Sequence, residues 1–145
     1  MKTKPNLKNA YDLKSPSDNI ELYSSWADTY DLDFIDEMQY ELHFHVANAF
    51  VSNGGRGLIL DVGAGTGALA EALLNRGKFT IEATDISKEM LEVAKSKKFY
   101  KGSFLSDLTK EIPVGDDHYD GVVSSGTFTH GHVGPNAIHE LIRIT

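Results

Sequence analysis

The chain contains no cysteine. That single absence excludes disulfides, a thiolate metal site and a cysteine nucleophile, and it is compatible with a reducing cytosol. No apolar run is long enough to span a bilayer. The first 14 residues are polar and broken by Pro5, without the apolar centre of a signal peptide. Positive charge is scarce as well: 14 Lys and Arg stand against 21 Asp and Glu, for a formal net charge of -7. With no basic patch to neutralise phosphates, direct nucleic-acid binding is not expected. There is no internal repeat and no low-complexity tract. The expectation is a soluble, cytoplasmic protein without a membrane segment. What is present, 145 residues with 41% hydrophobic and 24% charged, suffices for one domain burying roughly two thirds of its unfolded surface.

Pro5 and Pro16 fall with Lys2, Lys4 and Ser17 in residues 1–19, which read as a flexible N-terminal arm. Over residues 20–51 apolar side chains recur at helical spacing. Leu22, Trp26 and Tyr30 lie four apart, and Ile35, Met38, Leu42, Val46, Ala49 and Phe50 continue at three- and four-residue steps. Asp31 to Asp33 can divide this stretch into two helices, and Ser52-Asn53-Gly54-Gly55 ends it. Strand and helix patterns then alternate. Strands are expected over 58–62, 79–84, within 98–105 and over 119–124. Helices are expected over 68–76, closed by Gly77, from the N-cap Ser87 to about residue 97, and from Pro135 through 142. Residues 107–117 read as a loop. Such alternation means an α/β domain over 20–145, with parallel strands joined by right-handed crossovers.

The densest information lies in Leu58-Ile59-Leu60-Asp61-Val62-Gly63-Ala64-Gly65-Thr66-Gly67. An apolar run ends in an acid, three glycines follow at alternate positions, and a helix-forming segment comes next. A strand, a tight turn and a helix start bring backbone amides close to a nucleotide-like ligand. Asp85 lies 20 residues beyond Gly65, where dinucleotide folds place the acid that grips a ribose. Taken alone, it reads equally as a helix N-terminal acid favoured by the dipole. The Gly-x-Gly-x-Gly spacing differs from that of dinucleotide binders, and Asp61 would attract a cation and repel a pyrophosphate. A ligand bearing both an ammonium and a carboxylate suits an acid beside a helix N-terminus. The methionine half of S-adenosylmethionine is such a group.

On these residues the chain resembles the class I S-adenosylmethionine-dependent methyltransferases. Asp61-Val62-Gly63-Ala64-Gly65-Thr66-Gly67 is similar to their first motif, and Thr84-Asp85-Ile86-Ser87-Lys88-Glu89-Met90-Leu91 to their second. Ser106-Asp107-Leu108, followed by Pro113 and Asp120, resembles the third, and Tyr119 to Gly126 resembles the fourth strand entering the active site. Tyr23 and Trp26-Ala27-Asp28-Thr29-Tyr30-Asp31 are similar to the N-terminal lid of small-molecule members. Gly126 to Val133 resembles, more narrowly, the Williams–Beuren methyltransferase-like group. The resemblance implies that Asp61, Gly63, Ala64, Gly65 and Gly67 meet the cofactor. It implies that Asp85 holds both ribose hydroxyls with Ile86 on adenine, and that Asp107 and Leu108 meet the adenine end. Trp26, Tyr30 and Ser124 complete the implied cofactor set.

The implied fold is a Rossmann-like parallel sheet with flanking helices and an N-terminal helical segment. It is partial, because the family's sheet usually carries seven strands and this sequence supplies four. In the family's strand order, 3-2-1-4, the fourth strand is then an edge. It is apolar through Tyr119, Val122 and Val123 and carries no proline or lysine. A 145-residue product is expected to self-associate through it, or else to be part of a longer chain.

Several residues keep two readings. Trp26 and Tyr30 share a helix face, which serves core packing or a cofactor lid. Asp107 suits a solvated turn or an adenine contact. His130 and His132 lie just past the fourth strand, where open α/β sheets bind ligands. Each is either a general base on a substrate hydroxyl or amine or a loop histidine bonded to backbone. No third ligand stands near them, so no metal site is expected. His43 and His45, two apart on a helix, point to different faces. Three functions fit this pattern. The first is a methyltransferase that aligns a small-molecule acceptor with S-adenosylmethionine. The second is a non-catalytic S-adenosylmethionine-binding or regulatory module, and the third is half of a nicotinamide-dependent oxidoreductase.

Overall fold

A computed structural model describes residues 7–31, 35, 39–129 and 132–145. Asp33, Met38 and His130, named above, lie outside the described residues. Four strands, β1 (Leu58–Val62), β2 (Thr80–Asp85), β3 (Gly102–Leu105) and β4 (Gly121–Ser124), form one parallel sheet in the order β3-β2-β1-β4. The expected order is therefore the observed one. Central β1 is buried on both faces, which is why its sequence is a continuous apolar run rather than an alternating one. Successive residues still point to opposite sides. Ile59 joins Ala47, Leu69, Leu73, Ile81 and Val123 on one face, and Leu60 and Val62 join Leu108, Ile112, Tyr119 and Ile144 on the other. Fully burying one such aliphatic side chain contributes roughly 1.5–3 kcal/mol, so β1 anchors both layers.

The N-terminal region corrects the expectation of a flexible arm. Residues 7–19 contain helix α1 (Leu7–Tyr11) and the first turn of α2 (Pro16–Trp26). Ala10, Leu13 and Asn19 are buried. The physical reason is local. Ser15 accepts a hydrogen bond from the Asp18 amide at 3.2 Å, and Pro16 occupies the first turn, where its fixed φ suits a helix and its missing N–H costs nothing. Two residues that look like breakers start the helix. α3 (Leu42–Ser52) closes the helical region and packs against both α4 (Ala68–Leu74) and the sheet.

Other boundaries shift by a residue or two. α4 ends at Leu74, two residues before the expected stop. β2 runs on through Asp85. β4 begins at Gly121, because the Tyr119 amide is taken by Ile144 O (2.9 Å) and the Asp120 amide by Leu58 O (2.8 Å). α5 (Lys88–Ser96) is capped by Ser87, whose hydroxyl accepts from the Met90 amide at 3.2 Å. A 3-10 turn (Pro135–Ala137) leads into α6 (Ile138–Ile144), which extends two residues past the expected end. From α6, Arg143 donates to the carbonyls of Ile112 and Val114 and to Asp116, pinning the loop that follows β3. Among the described residues no helix is long and apolar enough to cross a membrane.

Candidate functional site

Parallel strands end together, so the segments leaving β1, β2, β3 and β4 converge at one edge of the sheet. There they surround a cavity of about 200 Å3, roofed by α2 and the residues around Tyr30 and Tyr40. After β1 the chain turns back at once. The amides of Gly63 and Ala64 both reach Thr84 O, at 2.9 and 3.0 Å. Gly63 and Gly65 have positive φ values of 66° and 56°, a region that side chains with a Cβ disfavour. The two glycines differ in what surrounds them. A Cβ at Gly63 would fall 2.0 Å from the Thr127 hydroxyl oxygen, whereas one at Gly65 would meet nothing within 4 Å. Gly63 serves internal packing, and Gly65 leaves open space in the cavity wall.

Asp85 closes this turn from β2. Its Oδ2 accepts from the Gly65 amide at 2.8 Å and its Oδ1 from the Ser87 amide at 2.9 Å. Burial raises its pKa, while the amides of Ser87, Gly65 and Ile86 pull the other way. The carboxylate is thus fixed in orientation at the cavity wall, beside Ile86 and Met90. Beyond β3, Ser106, Asp107 and Leu108 form the next part of the wall. Ser106 is 8% exposed, and its hydroxyl has no hydrogen-bond partner among the described residues. A buried hydroxyl of that kind is costly unless something pairs with it. Asp107 sits in a side-chain-capped turn. Its Oδ1 accepts from the Thr109 amide (2.9 Å) and hydroxyl (2.6 Å). Desolvation raises its pKa, but Thr109 and the nearby Lys110 outweigh it, leaving the carboxyl lowered.

Of the expected site residues, Tyr30, Gly63, Gly65, Asp85, Ile86, Asp107, Leu108 and His132 line the cavity together. Trp26, Asp61, Ala64, Gly67 and Ser124 do not. Trp26 is 1% exposed and packs edge-on against Tyr30 at 4.9 Å between ring centroids. Of the two readings for that face, Trp26 takes the core and Tyr30 the wall. Asp61, also 1% exposed, lies behind the glycine turn, where the Tyr100 hydroxyl donates to its Oδ2 at 2.7 Å. Its expected role as a partner of a ligand cation is not seen directly: in this structure the carboxyl is covered and bonded to Tyr100. Desolvation lifts its pKa to about 7, against the pull of Tyr100. Ala64 packs with Ala83, Leu91 and Tyr100. Ser124 ties β4 to β1 by donating to Val62 O at 2.8 Å.

The roof contains residues that sequence reasoning missed. Tyr40 reaches the Ser125 hydroxyl at 3.3 Å, and Ser24 donates to Glu89 at 2.7 Å. Asp31 accepts from the Thr66 hydroxyl beside the glycine turn and from the Lys97 ammonium at the end of α5. Ala10, Pro16 and Asn19, all from the expected arm, also line the cavity. No periodicity announces these ties, since each depends on which loops the sheet brings together. The Ser15-Pro16 start of α2 was the one available signal. His43 is buried, and desolvation lowers its pKa, while His45 is exposed. Among the described residues no group of three or more His, Asp or Glu is arranged to hold a metal ion.

The donor set fits an adenosyl ligand. There is an oriented carboxylate suited to a diol, a buried hydroxyl without a partner among the described residues, and a glycine whose missing Cβ leaves the wall open. The fold and this cavity define a class I S-adenosylmethionine-dependent methyltransferase fold. The chain belongs to the methyltransferase domain family, whose model matches residues 59–145. It is 30% identical over 136 residues to Methyltransferase-like protein 27 of Homo sapiens, covering 91% of this chain and 56% of that protein. It is 30% identical over 138 residues to the demethylmenaquinone methyltransferase of Thermobifida fusca, covering 91% and 58%. Among solved structures, the complex of DhpI with SAH superposes with a TM-score of 0.65 at 21% identity, covering 89% of this chain and 62% of that one. A candidate S-adenosyl-L-methionine-dependent methyltransferase of Methanococcus maripaludis gives 0.66 at 24% identity, covering 86% and 57%. The chain spans about half the length of the relatives it matches. These likenesses establish the methyltransferase domain and not the narrower Williams–Beuren group, and they stand against the nicotinamide-dependent alternative.

Proposed function

We propose that this chain holds S-adenosylmethionine and serves a cytoplasmic enzyme that methylates a small molecule. The observation that carries the reading is the Asp85 carboxylate, locked by the Gly65 and Ser87 amides at the wall of a cavity that Gly65 leaves open. When bound, the cofactor supplies an electrophilic methyl group. The chain's own residues bind and orient. Asp85 would accept from the ribose hydroxyls, Ile86 and Leu108 would flank the adenine, Ser106 and Asp107 would meet its polar edge, and Tyr30 would cover it. Several relatives are quinone methyltransferases by name, including a ubiquinone/menaquinone biosynthesis C-methyltransferase of Burkholderia mallei that is 37% identical over 110 residues, covering 68% of this chain and 44% of that protein. That supports an acceptor of small-molecule size.

Calorimetry with S-adenosylhomocysteine and with NAD tests the cofactor: saturable binding of the first alone is expected, and the reverse would defeat the reading. Methyl transfer from S-adenosylmethionine to a metabolite panel tests turnover. Binding without transfer would leave the non-catalytic module in its place.

A further inference from the structure

His132 follows β4 and lines the cavity, but its ring does not present a bare nitrogen there. Nε2 is 2.8 Å from the Tyr23 hydroxyl, and Nδ1 is 2.8 Å from the Thr129 hydroxyl. Tyr23 stands on α2 and lines the same cavity. Its ring meets the imidazole at 5.7 Å and packs against Trp26 and Tyr30 at 6.1 and 6.0 Å between centroids. A neutral imidazole has one donor and one acceptor nitrogen. A phenol, with a reference pKa of about 10, is a far more acidic donor than the aliphatic hydroxyl of a threonine. That difference favours the arrangement in which the phenolic O–H goes to Nε2 and the imidazole carries its own hydrogen on Nδ1, toward Thr129 Oγ1.

We infer that Tyr23, His132 and Thr129 form one proton-accepting unit in which the Tyr23 hydroxyl, rather than the imidazole, meets the methyl acceptor. The acceptor is of the class that must lose a proton to react, a phenol or an amine that arrives as its ammonium. Its O–H or N–H bond breaks, and the proton passes to Tyr23 Oη while the proton of Tyr23 passes to His132 Nε2. Tyr23 ends neutral, the imidazole ends as imidazolium, and its Nδ1–H stays on Thr129. The electron pair left on the acceptor's oxygen or nitrogen forms the new bond to the methyl carbon. The imidazolium later returns its proton to water. Tyr23 and His132 lie 109 residues apart, so sequence spacing offers His130 and His132 as candidate bases and Tyr23 only as part of a lid, without linking them. This step rests on the methyltransferase reading, whereas the ring's tautomer does not.

The tautomer is read from ring nitrogen shifts of histidine-labelled protein at a pH where the imidazole is neutral, with His132→Gln identifying the signal among six histidines. We expect the Nδ1–H form in the wild-type protein, and a shift toward the Nε2–H form that free imidazole prefers in Tyr23→Phe. An Nε2–H ring in the wild type, or one indifferent to Tyr23→Phe, overturns the inference. Should Tyr23→Phe not fold, Thr129→Val gives the same readout, since it removes the partner of Nδ1. With a panel of phenols and primary amines, Tyr23→Phe and His132→Gln are each expected to lower kcat roughly a hundredfold, and the double variant to fall no further than the worse single. Full turnover in Tyr23→Phe, or losses that multiply, overturns it. If no panel member is methylated, the ring spectra alone decide. Failure of S-adenosylhomocysteine to bind the wild type defeats the site reading and leaves the tautomer result standing.

Discussion

The Tyr100 hydroxyl donates to Asp61 Oδ2 at 2.7 Å, sealing a carboxylate that is 1% exposed behind the glycine turn. Tyr100 belongs to the segment leading into β3, and Asp61 belongs to β1, so the bond spans the intervening strand β2 of the same sheet. The same bond is the one side-chain interaction that favours the charged form of Asp61, while burial and the charge of Asp85 oppose it.

The first prediction is a pH dependence of stability. Folding raises the Asp61 pKa from 3.8 to about 7, so the folded state holds a proton that the unfolded state releases. The stability tied to that proton is complete below the unfolded pKa and is lost as pH rises from about 4 through about 7. At a shift of this size the loss is on the order of 4 kcal/mol. Asp61→Asn lacks this dependence, so urea unfolding of the variant should gain on the wild type across that range. Tyr100→Phe should move the midpoint of the effect to higher pH. Parallel curves for wild type and Asp61→Asn would refute the assignment.

Asp85→Ala should weaken S-adenosylhomocysteine binding at least about tenfold, since each charge-assisted hydrogen bond contributes roughly 1.5–3 kcal/mol. Asp85→Asn should lose less, because one acceptor oxygen survives. Equal affinity in wild type and Asp85→Ala, with the fold intact by circular dichroism, would remove the ribose role.

Gly65→Ala and Gly63→Ala should fail differently. Gly65→Ala costs about 1–2 kcal/mol for a left-handed backbone and places its methyl in open space; it should fold and bind S-adenosylhomocysteine poorly. Gly63→Ala carries the same backbone cost plus a 2.0 Å approach to Thr127, so its melting temperature should fall much further. Equal melting temperatures, or wild-type affinity in Gly65→Ala, would contradict the division of labour.

Among the described residues β4 pairs only with β1, and α6 exposes Ile138 and Ile142, the latter at 67%. An unpaired apolar edge strand is a template for another copy of itself. Taken by themselves, these 145 residues are expected to self-associate at micromolar concentration by light scattering, with Val122→Lys suppressing it, or else to belong to a longer chain that pairs this strand. A monodisperse 16.0 kDa species would reject it.

How much was legible before the structure follows from the range of the interactions involved. β1, its glycine turn and Asp85 were readable because they depend on local pattern: an apolar run for a doubly covered strand, and an acid one strand away. The strand order follows from the family likeness and stands as expected. The cover over Asp61 was not legible, because a position at a strand end says nothing about what packs on it; that is decided by Tyr100, 39 residues later. The arm was misread because Ser15 and Pro16 have two meanings, breaker or helix start, and burial of Ala10 and Leu13 decides between them. Asp31, Tyr40 and Tyr23 act across 66, 85 and 109 residues of sequence, beyond any periodicity.

The bond from the Gly65 amide to Asp85 Oδ2 has a thermodynamic consequence for recognition. The turn and the acid already hold one another at 2.8 Å in the protein alone, so an incoming ligand meets a finished mould and does not have to freeze it. The ordering penalty that a slack loop would charge against affinity has been met during folding. Binding should therefore show a small conformational-entropy term at this end of the cavity. Loosening the mould, as in Asp85→Ala, should appear chiefly as faster ligand departure rather than slower arrival.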